Sequence, residues 1–498
     1  MVTDTGLCES LFIWKVKIRW KVEMQCNTHY SLFYLYFSQA DELSELFGER
    51  MPKRLTAARF LWSLKHESNK TEKCVSITTP AGYIAHKLTT TTGLPQLVLG
   101  VGEASGMFPV DSGDIGCNYR NDWLEAFDRH VCSKFPGVSV PSLRDLLPQI
   151  RTAGDTRNYG GDNSSHVVLD NSILDPGGWL HDVKDVFCGG KDDSSQGILL
   201  APSEGDQPTA LAASLIGQNG MISCSFGTSV VANMVGKASG ASAAKKGKSL
   251  ASVDRFNAVN GQPISMVWLR NGTTYLNRMV ESYGGNFEGL LQQAVEAPSD
   301  CGGLLALPFL DDEPGLNVAQ GGTGMIVGFN STGNHKAGNV IKAAMISVMF
   351  NLYLGTQQVE QAEAAATTID EATRDAKGLK KEIILTGGLT KTPETGQILA
   401  NIFDRPVRLL EAADEGGAWG SALLAKYSDD CQKRQNERQS SEPPHPNDWL
   451  AFLSTIEAKE QQAFFPQPEK VEVYRSVLEK YTKLLKLQPQ LDRVMNGP

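Results

Sequence analysis

The chain has no excess of basic charge, no cysteine framework and, in its aromatic-rich front, no apolar run long enough to cross a bilayer. Each absence removes a class of function. Against 56 acidic residues stand 47 basic ones, a formal net charge of −9. A nucleic-acid reader wants a basic face, so that class is set aside. The nine cysteines are odd in number and scattered, and no C-x-x-C occurs. Neither a disulfide scaffold nor a zinc site is supported. Cys224 and Cys301 fall in apolar or turn contexts, and His86 and His166 read as structural or surface residues rather than ligands. The densest aromatic run, Leu32-Phe33-Tyr34-Leu35-Tyr36-Phe37, is too short to span a bilayer. The early basic residues do not precede a clean apolar core, so no signal peptide is expected. No short internal repeat is visible. What remains is a globular, cytoplasmic enzyme. Its 498 residues exceed one ordinary core, which predicts two large domains.

Three segments carry chemistry. In Glu382-Ile-Ile-Leu-Thr-Gly387-Gly388-Leu-Thr-Lys391-Thr392-Pro393 a short apolar run ends in paired glycines, and an amphipathic segment from Gln397 to Phe403 follows. That pattern predicts strand, glycine turn, helix. Glycines let the backbone approach a flat or anionic ligand, and a helix N-terminus offers unpaired N–H groups. The plain alternative is an ordinary strand-to-helix turn. In Gly205-Asp206-Gln207-Pro208-Thr209-Ala210 an acid stands just before an Ala/Leu-rich helical run, with Pro208 in its first turn. A carboxylate held ionised there suits the acceptance of a proton from a sugar hydroxyl. The plain alternative is a simple N-cap. In Ser223-Cys-Ser225-Phe226-Gly227-Thr228-Ser229 a β-prone run turns at Gly227, and hydroxyls and amides suited to phosphate follow. Here the alternative is an ordinary hairpin.

The order of the three, G-D-Q before a helix, then S-x-G-T-S, then strand-G-G-helix, resembles the FGGY carbohydrate kinases. Glu415-Gly416-Gly417-Ala418-Trp419-Gly420-Ser421-Ala422 is similar to that family's small-residue helix near the nucleotide. Ala104-Ser105-Gly106-Met107-Phe108-Pro109-Val110-Asp111, followed by Asp122-Trp123-Leu124, is similar to a xylulokinase-like segment. The resemblance runs from about Ala40 to about Lys426. It implies an α/β fold of two ribonuclease-H-like (actin-like ATPase) domains around a central cleft, the first domain incomplete. The implied division is 1–39 atypical, 40–218 sugar-binding, 219–430 nucleotide-binding, and 431–498 linker and amphipathic helix.

The implied activity is transfer of the ATP γ-phosphate to a sugar hydroxyl, a ketopentose such as xylulose being the substrate class. Asp206 matches the general base and Gln207 its sugar-binding neighbour, with Ser105 placed on the sugar side. Gly227, Thr228 and Ser229 match the loop under the β- and γ-phosphates. Gly387 and Gly388 match the pair against the ribose and α-phosphate, and Thr392 falls near an adenine contact. ATP and Mg2+ are the implied cofactors, the metal largely water-coordinated and held by no assigned side chain. The implied partners are the sugar and ATP, without nucleic acid or membrane, and a homodimer is compatible with them. An actin-like or chaperone-like ATPase shares the cleft but needs no sugar-facing Asp206-Gln207. A non-catalytic relic of a sugar kinase is the other reading.

The resemblance fails at the front. The family's first strand leads to an Asp-x-Gly-Thr turn, whereas Asp4-Thr5-Gly6 follows only Met1-Val2-Thr3. Residues Val22 to Gln39 break pattern abruptly. A valine codon begins GT and a glutamine codon can be CAG, so a retained intron translated as that stretch fits its ends. A transcript read across the region decides it. Further along, helices are expected over Leu55–Leu64, Ala81–Leu88, Asp122–Asp128, Pro141–Leu147, Val267–Tyr283 and Lys342–Ala365, with a strand at Cys74–Thr79. Asn158–Ser165 and Gly236–Lys248 read as loops, and Lys433–Asn447 as a solvated linker. Val471 to Leu487 has apolar residues at helical spacing, which predicts an amphipathic helix packed on the second domain.

Overall fold

The computed structural model describes residues 2–3, 6–7, 39–52, 54–67, 71–89, 97–113, 116–155, 166–167, 198–217, 220–227, 229–236, 253–316, 318–331, 333–366, 382–410, 416–438, 444–456 and 460–497. The expected loops at 158–165 and 237–248, the stretch 22–38 and Thr228 lie outside these residues.

The first half opens with two short strands, β1 (Val2–Thr3) and β2 (Gly6–Leu7). They pair antiparallel, Val2 with Leu7 and Thr3 with Gly6, and β1 also pairs with β3 (Cys74–Ser76). The sequence reading found no strand ahead of Asp4; the structure places one there, joined to the first half by β3. Its shortness hid it, since two residues carry no period. Helix α1 (Thr56–His66) and the helix Asn121–Lys134 supply the apolar faces of this half. Phe60, Leu61, Leu64, Phe108, Trp123 and Phe127 form its core. Strand β4 (Val98–Gly100) runs parallel to β5 (Gln149–Arg151), and the short helix α2 (Val101–Ser105) follows β4 directly.

The second half is built on one seven-stranded sheet. Its strands in chain order are β6 (Ile222–Phe226), β7 (Val230–Val235), β8 (Val253–Asn257), β9 (Pro263–Leu269), β10 (Ile383–Gly387), β11 (Val407–Leu410) and β12 (Glu460–Phe464). The spatial order is β8-β9-β7-β6-β10-β11-β12. Central strands β6, β10 and β11 are parallel, and the flanking pairs are antiparallel. Alternation sorts the two faces of β6. Ile222, Cys224 and Phe226 enter the large core, whereas Ser223 faces helix α3 (Asp206–Ala213), where its hydroxyl meets that of Ser214 at 3.1 Å.

Between β9 and β10 come α4 (Thr274–Ser282) and α5 (Ala337–Ala366). Helix α5 is apolar nearly all round, the mark of a helix buried on every side. Val340, Ile341, Ala344, Met345, Val348, Met349 and Leu352 all lie in the large core. Over Ala337–Ala362 it is long and apolar enough to cross a membrane, but that stretch is buried inside the fold. Then come α6 (Thr395–Phe403), α7 (Gly416–Arg438) and α8 (Pro468–Leu485). As its spacing predicts, α8 lays Tyr474, Val477 and Tyr481 into the second half's core, and the Tyr481 hydroxyl donates to Asn351 Oδ1 at 2.6 Å.

Two expectations are corrected. Helix was expected from Val267, but Pro263–Leu269 is a strand held between β7 and β8, and helix begins only at Thr274. The run Ile264-Ser-Met-Val-Trp268 suits either state, and its two strand partners decide. The linker expected from Lys433 is instead helical to Arg438, where Lys433 pairs with Asp429 at 2.7 Å. Polarity marks solvation, and a solvated helix face looks the same in sequence.

The halves meet through several ties. Asp254 on β8 pairs with Arg50 at 2.6 Å and with Arg54 at 3.3 Å. A separate apolar cluster joins Ala153 beyond β5, Ala212 of α3, and Leu423 and Tyr427 of α7 with Trp449 and Phe452.

Candidate active site

The parallel register of β6 and β10 sets Phe226 opposite Gly387. Both strands therefore end side by side, and the two glycine bends predicted for phosphate contact emerge together. Gly227, Ser229 and Gly388 are exposed there. Gly387 has φ +83°, and a Cβ on it would lie 2.6 Å from the Phe226 carbonyl oxygen and 2.8 Å from its nitrogen. Only glycine allows the two strands this approach. The β6–β7 bend closes with Gly227 N–H donating to the Ser229 carbonyl at 3.1 Å.

That bend is fixed from behind by a residue the sequence reading missed. Thr273, preceding α4, donates to the Gly227 carbonyl twice, from its backbone N–H at 3.2 Å and from Oγ1 at 2.7 Å. Its neighbour Asn271 is itself locked: its Oδ1 accepts from the amides of Leu310 at 2.9 Å and Asp311 at 2.8 Å. Its N–H donates to Glu313, whose carboxyl burial pushes above the usual range against the Asn271 bonds that hold it down. The signal available in sequence was the Asn271-Gly272-Thr273 turn after an apolar run. Thr273→Val removes the hydroxyl bond at nearly constant volume. The Kd for an ATP analogue, read by calorimetry, is expected to rise roughly fivefold, the equivalent of about 1 kcal/mol for one hydrogen bond. An unchanged Kd would detach this bend from nucleotide binding.

Asp206 is the first residue of α3 and is exposed; its Oδ1 accepts the Gln207 amide at 3.0 Å. The carboxylate thus sits at the positive end of a helix with one oxygen oriented by its own backbone. Gln207 turns to the sheet, its Nε2 donating to Asn233 Oδ1 on β7 at 3.1 Å. Asn233 is three residues along β7 from Val230, roughly 10 Å by strand rise. Helix α3 is therefore pinned to the sheet face at Asn233 and at Ser223.

The remaining predicted residues are engaged inside the fold. Ser105 is buried; its Oγ donates to the Gly102 carbonyl at 2.7 Å and accepts the Asn257 amide at 3.0 Å. Thr392 is buried at the end of the short helical turn Gly388–Lys391, its N–H donating to the Leu389 carbonyl at 3.1 Å. Thr323, in the glycine turn Gly321–Gly324, is buried and accepts from Gln488, which ties that turn to the C-terminal helices. Burial pushes the thiols of Cys224 and Cys301 up to about 12, so neither is a nucleophile. Among the described residues no group of three His, Cys, Asp or Glu side chains is placed to hold a metal ion.

Helix α7 backs the site. It packs along α3, with Gly416 beside Ala210 and Gly420 against the Thr209 carbonyl. Gly416 and Gly420 are what allow that contact.

Comparison with known proteins agrees with this architecture. Residues 222–428 match the FGGY family of carbohydrate kinases, C-terminal domain. No curated protein sequence matches the chain. Among solved structures, a ligand-bound xylulose kinase from Lactobacillus acidophilus is similar over 90% of this chain and 77% of its own, with 16% identity and a TM-score of 0.60. A gluconate kinase from the same organism is similar over 92% of this chain and 79% of its own, with 16% identity and a TM-score of 0.61. Plasmodium falciparum glycerol kinase with ADP is similar over 92% of this chain and 78% of its own, with 14% identity and a TM-score of 0.62. At these identities the likeness establishes the fold: two actin-like, ribonuclease-H-like domains. The sheet of β6 to β12 with its glycine bends thus lies largely in the segment that resembles the C-terminal domain of the FGGY family of carbohydrate kinases.

Proposed function

We propose that the chain transfers the γ-phosphoryl group of ATP to a hydroxyl of a small sugar, with a ketopentose such as xylulose as the first class to try. The observation that carries this reading is the β6–β10 register, which sets the Gly227 and Gly387–Gly388 bends side by side on the sheet that also anchors the start of α3 at Asn233. Backbone amides at exposed glycine bends suit phosphate oxygens, and glycine at 387 lets the two bends lie side by side. Asp206 would take the proton from the attacking hydroxyl, and Gln207 would hold the helix start in register on β7. ATP supplies the transferred group, and magnesium entering with it would offset phosphate charge. The division of the chain near residue 218 belongs to the same reading: sugar before it, nucleotide after it. Phosphoryl transfer asks a protein mainly for alignment and neutralisation; the bends and α3 would serve the first, and magnesium with the backbone amides the second.

The test is a panel of ketopentoses, aldonates and polyols in a coupled ADP-release assay, with calorimetry on an ATP analogue beside it. ADP release that depends on one sugar class is the expected outcome. Binding of nucleotide and sugar without ADP release would assign the chain to the non-catalytic reading. Absence of nucleotide binding would remove the kinase reading altogether.

A further inference from the structure

The loop that delivers Asp206 is gripped by a second acid, Glu204, which no step above uses. Its carboxyl reaches back to the start of α2, where Oε1 accepts the Gly102 amide at 3.1 Å and Oε2 accepts the Glu103 amide at 2.6 Å. The adjacent Ser203 carbonyl accepts the Gly100 amide at 2.7 Å. Three bonds therefore fasten residues 203–204 to residues 100–103. The glycines on both sides make room for the acids. A Cβ on Gly100 would lie 2.2 Å from Glu204 Oε1, and one on Gly205 would lie 2.1 Å from Glu103 Oε2. At the other end of α2, Ser105 accepts the Asn257 amide of β8. One short helix thus holds the Asp206 loop at its start and the large sheet at its end.

We propose that Glu204 is a positioning residue for the reaction, its two-pronged grip on the Gly102 and Glu103 amides fixing where the first turn of α3 presents Asp206. The proposal rests on the kinase reading of the site. Its chemistry has a cost that makes it testable. Burial, with a smaller contribution from the neighbouring Glu103 charge, outweighs the two amide bonds and pushes the Glu204 carboxyl up to about 8. Glu103 is the charged group acting on it; the other contacts are the two amides. Below that pH the grip is made by a neutral acid. Above it a second negative charge stands beside Glu103 and loosens the loop. The sign for stability follows. Because the acid's pKa rises from 4.5 to about 8 on folding, the native chain holds more protons than the unfolded one across that window. Stability therefore declines as pH climbs through the window and levels off above it.

The experiment compares the full chain with Glu204→Gln and Glu204→Ala. The wild-type thermal midpoint is expected to fall between about pH 5 and about pH 8, and the Glu204→Gln profile to flatten there. Sugar-dependent kcat should show an alkaline decline in the wild type and a flat profile in Glu204→Gln, at a lower level because glutamine accepts only one of the two amide bonds. Glu204→Ala should lose kcat roughly tenfold through misplacement of Asp206, with KM for ATP unchanged, since the nucleotide bends stand on other strands. Identical pH profiles for wild type and Glu204→Gln, or wild-type kcat in Glu204→Ala, would overturn the proposal. A chain without any turnover would defeat the kinase reading instead. In that case the thermal profile, together with faster amide exchange at Gly102 and Glu103 in Glu204→Ala, still decides whether the grip exists.

Discussion

Asp206→Asn is expected to lower sugar-dependent ADP release by about 10²–10⁴-fold while nucleotide affinity stays at the wild-type value. Asparagine keeps the shape of the side chain and retains an oxygen that accepts the Gln207 amide, the bond seen at 3.0 Å. That contact at the start of α3 is therefore kept. What disappears is the charge that would accept the hydroxyl proton in the transition state. The nucleotide bends are held by other contacts, Thr273 behind Gly227 and Phe226 beside Gly387, so calorimetry with an ATP analogue should not distinguish the variant from the parent. Undiminished ADP release in the variant would take Asp206 out of the mechanism. Loss of nucleotide binding with an unchanged thermal midpoint would mean that α3 contacts the nucleotide directly, and the division of labour argued above would fail.

How much of this was legible in the sequence depends on the range of the interaction. The strand, glycine turn and helix at 383–403 were readable because each signal is local: an apolar run, paired glycines and a helical period. Helix α8 was readable for the same reason, since Val471, Tyr474, Val477 and Tyr481 repeat at the helical spacing and all lie buried. Strand β9 was misread because Val267 and Leu269 fit a helix as well as a strand until β7 and β8 are known to flank them. The first hairpin was missed because two-residue strands have no pattern to read. Glu204 was missed for a deeper reason. Its partners are 102 and 101 residues earlier in the chain, and nothing about an acid before Gly205-Asp206 says that it points away from the site rather than into it. The ordered motifs gave the family resemblance because order survives where contact geometry is invisible. They did not reveal that Ser105 is occupied between Gly102 and β8.

Gly420→Ala is expected to destabilise the chain by about 3 kcal/mol, toward the upper end for an overpacked site, and to reduce turnover with it. The reason is where the added carbon would fall. A Cβ on Gly420 would lie 1.8 Å from the Thr209 carbonyl oxygen, 2.6 Å from its carbon and 3.1 Å from its Cα. All three atoms are backbone, so no rotamer change relieves the overlap; either α7 or α3 must shift. Thr209 is in the first turn of α3, three residues from Asp206, and its carbonyl belongs to the helix whose start presents the carboxylate. A shift large enough to clear the overlap displaces the proposed base, and displacements of about 1 Å already cost on the order of 10²-fold in rate. The same helix supplies its own controls. A Cβ on Gly417 would meet nothing within 4 Å, and one on Gly416 would make ordinary contact with Ala210 at 3.6 Å. Gly417→Ala is therefore expected to be neutral or to stabilise by up to about 1 kcal/mol, since glycine in a helix is costly to order. Urea unfolding and ADP-release rates on the three variants separate the contributions. Equal stability and equal turnover in Gly420→Ala and Gly417→Ala would mean that α7 does not press on the first turn of α3, and the proposed role of Asp206 would lose its support from behind.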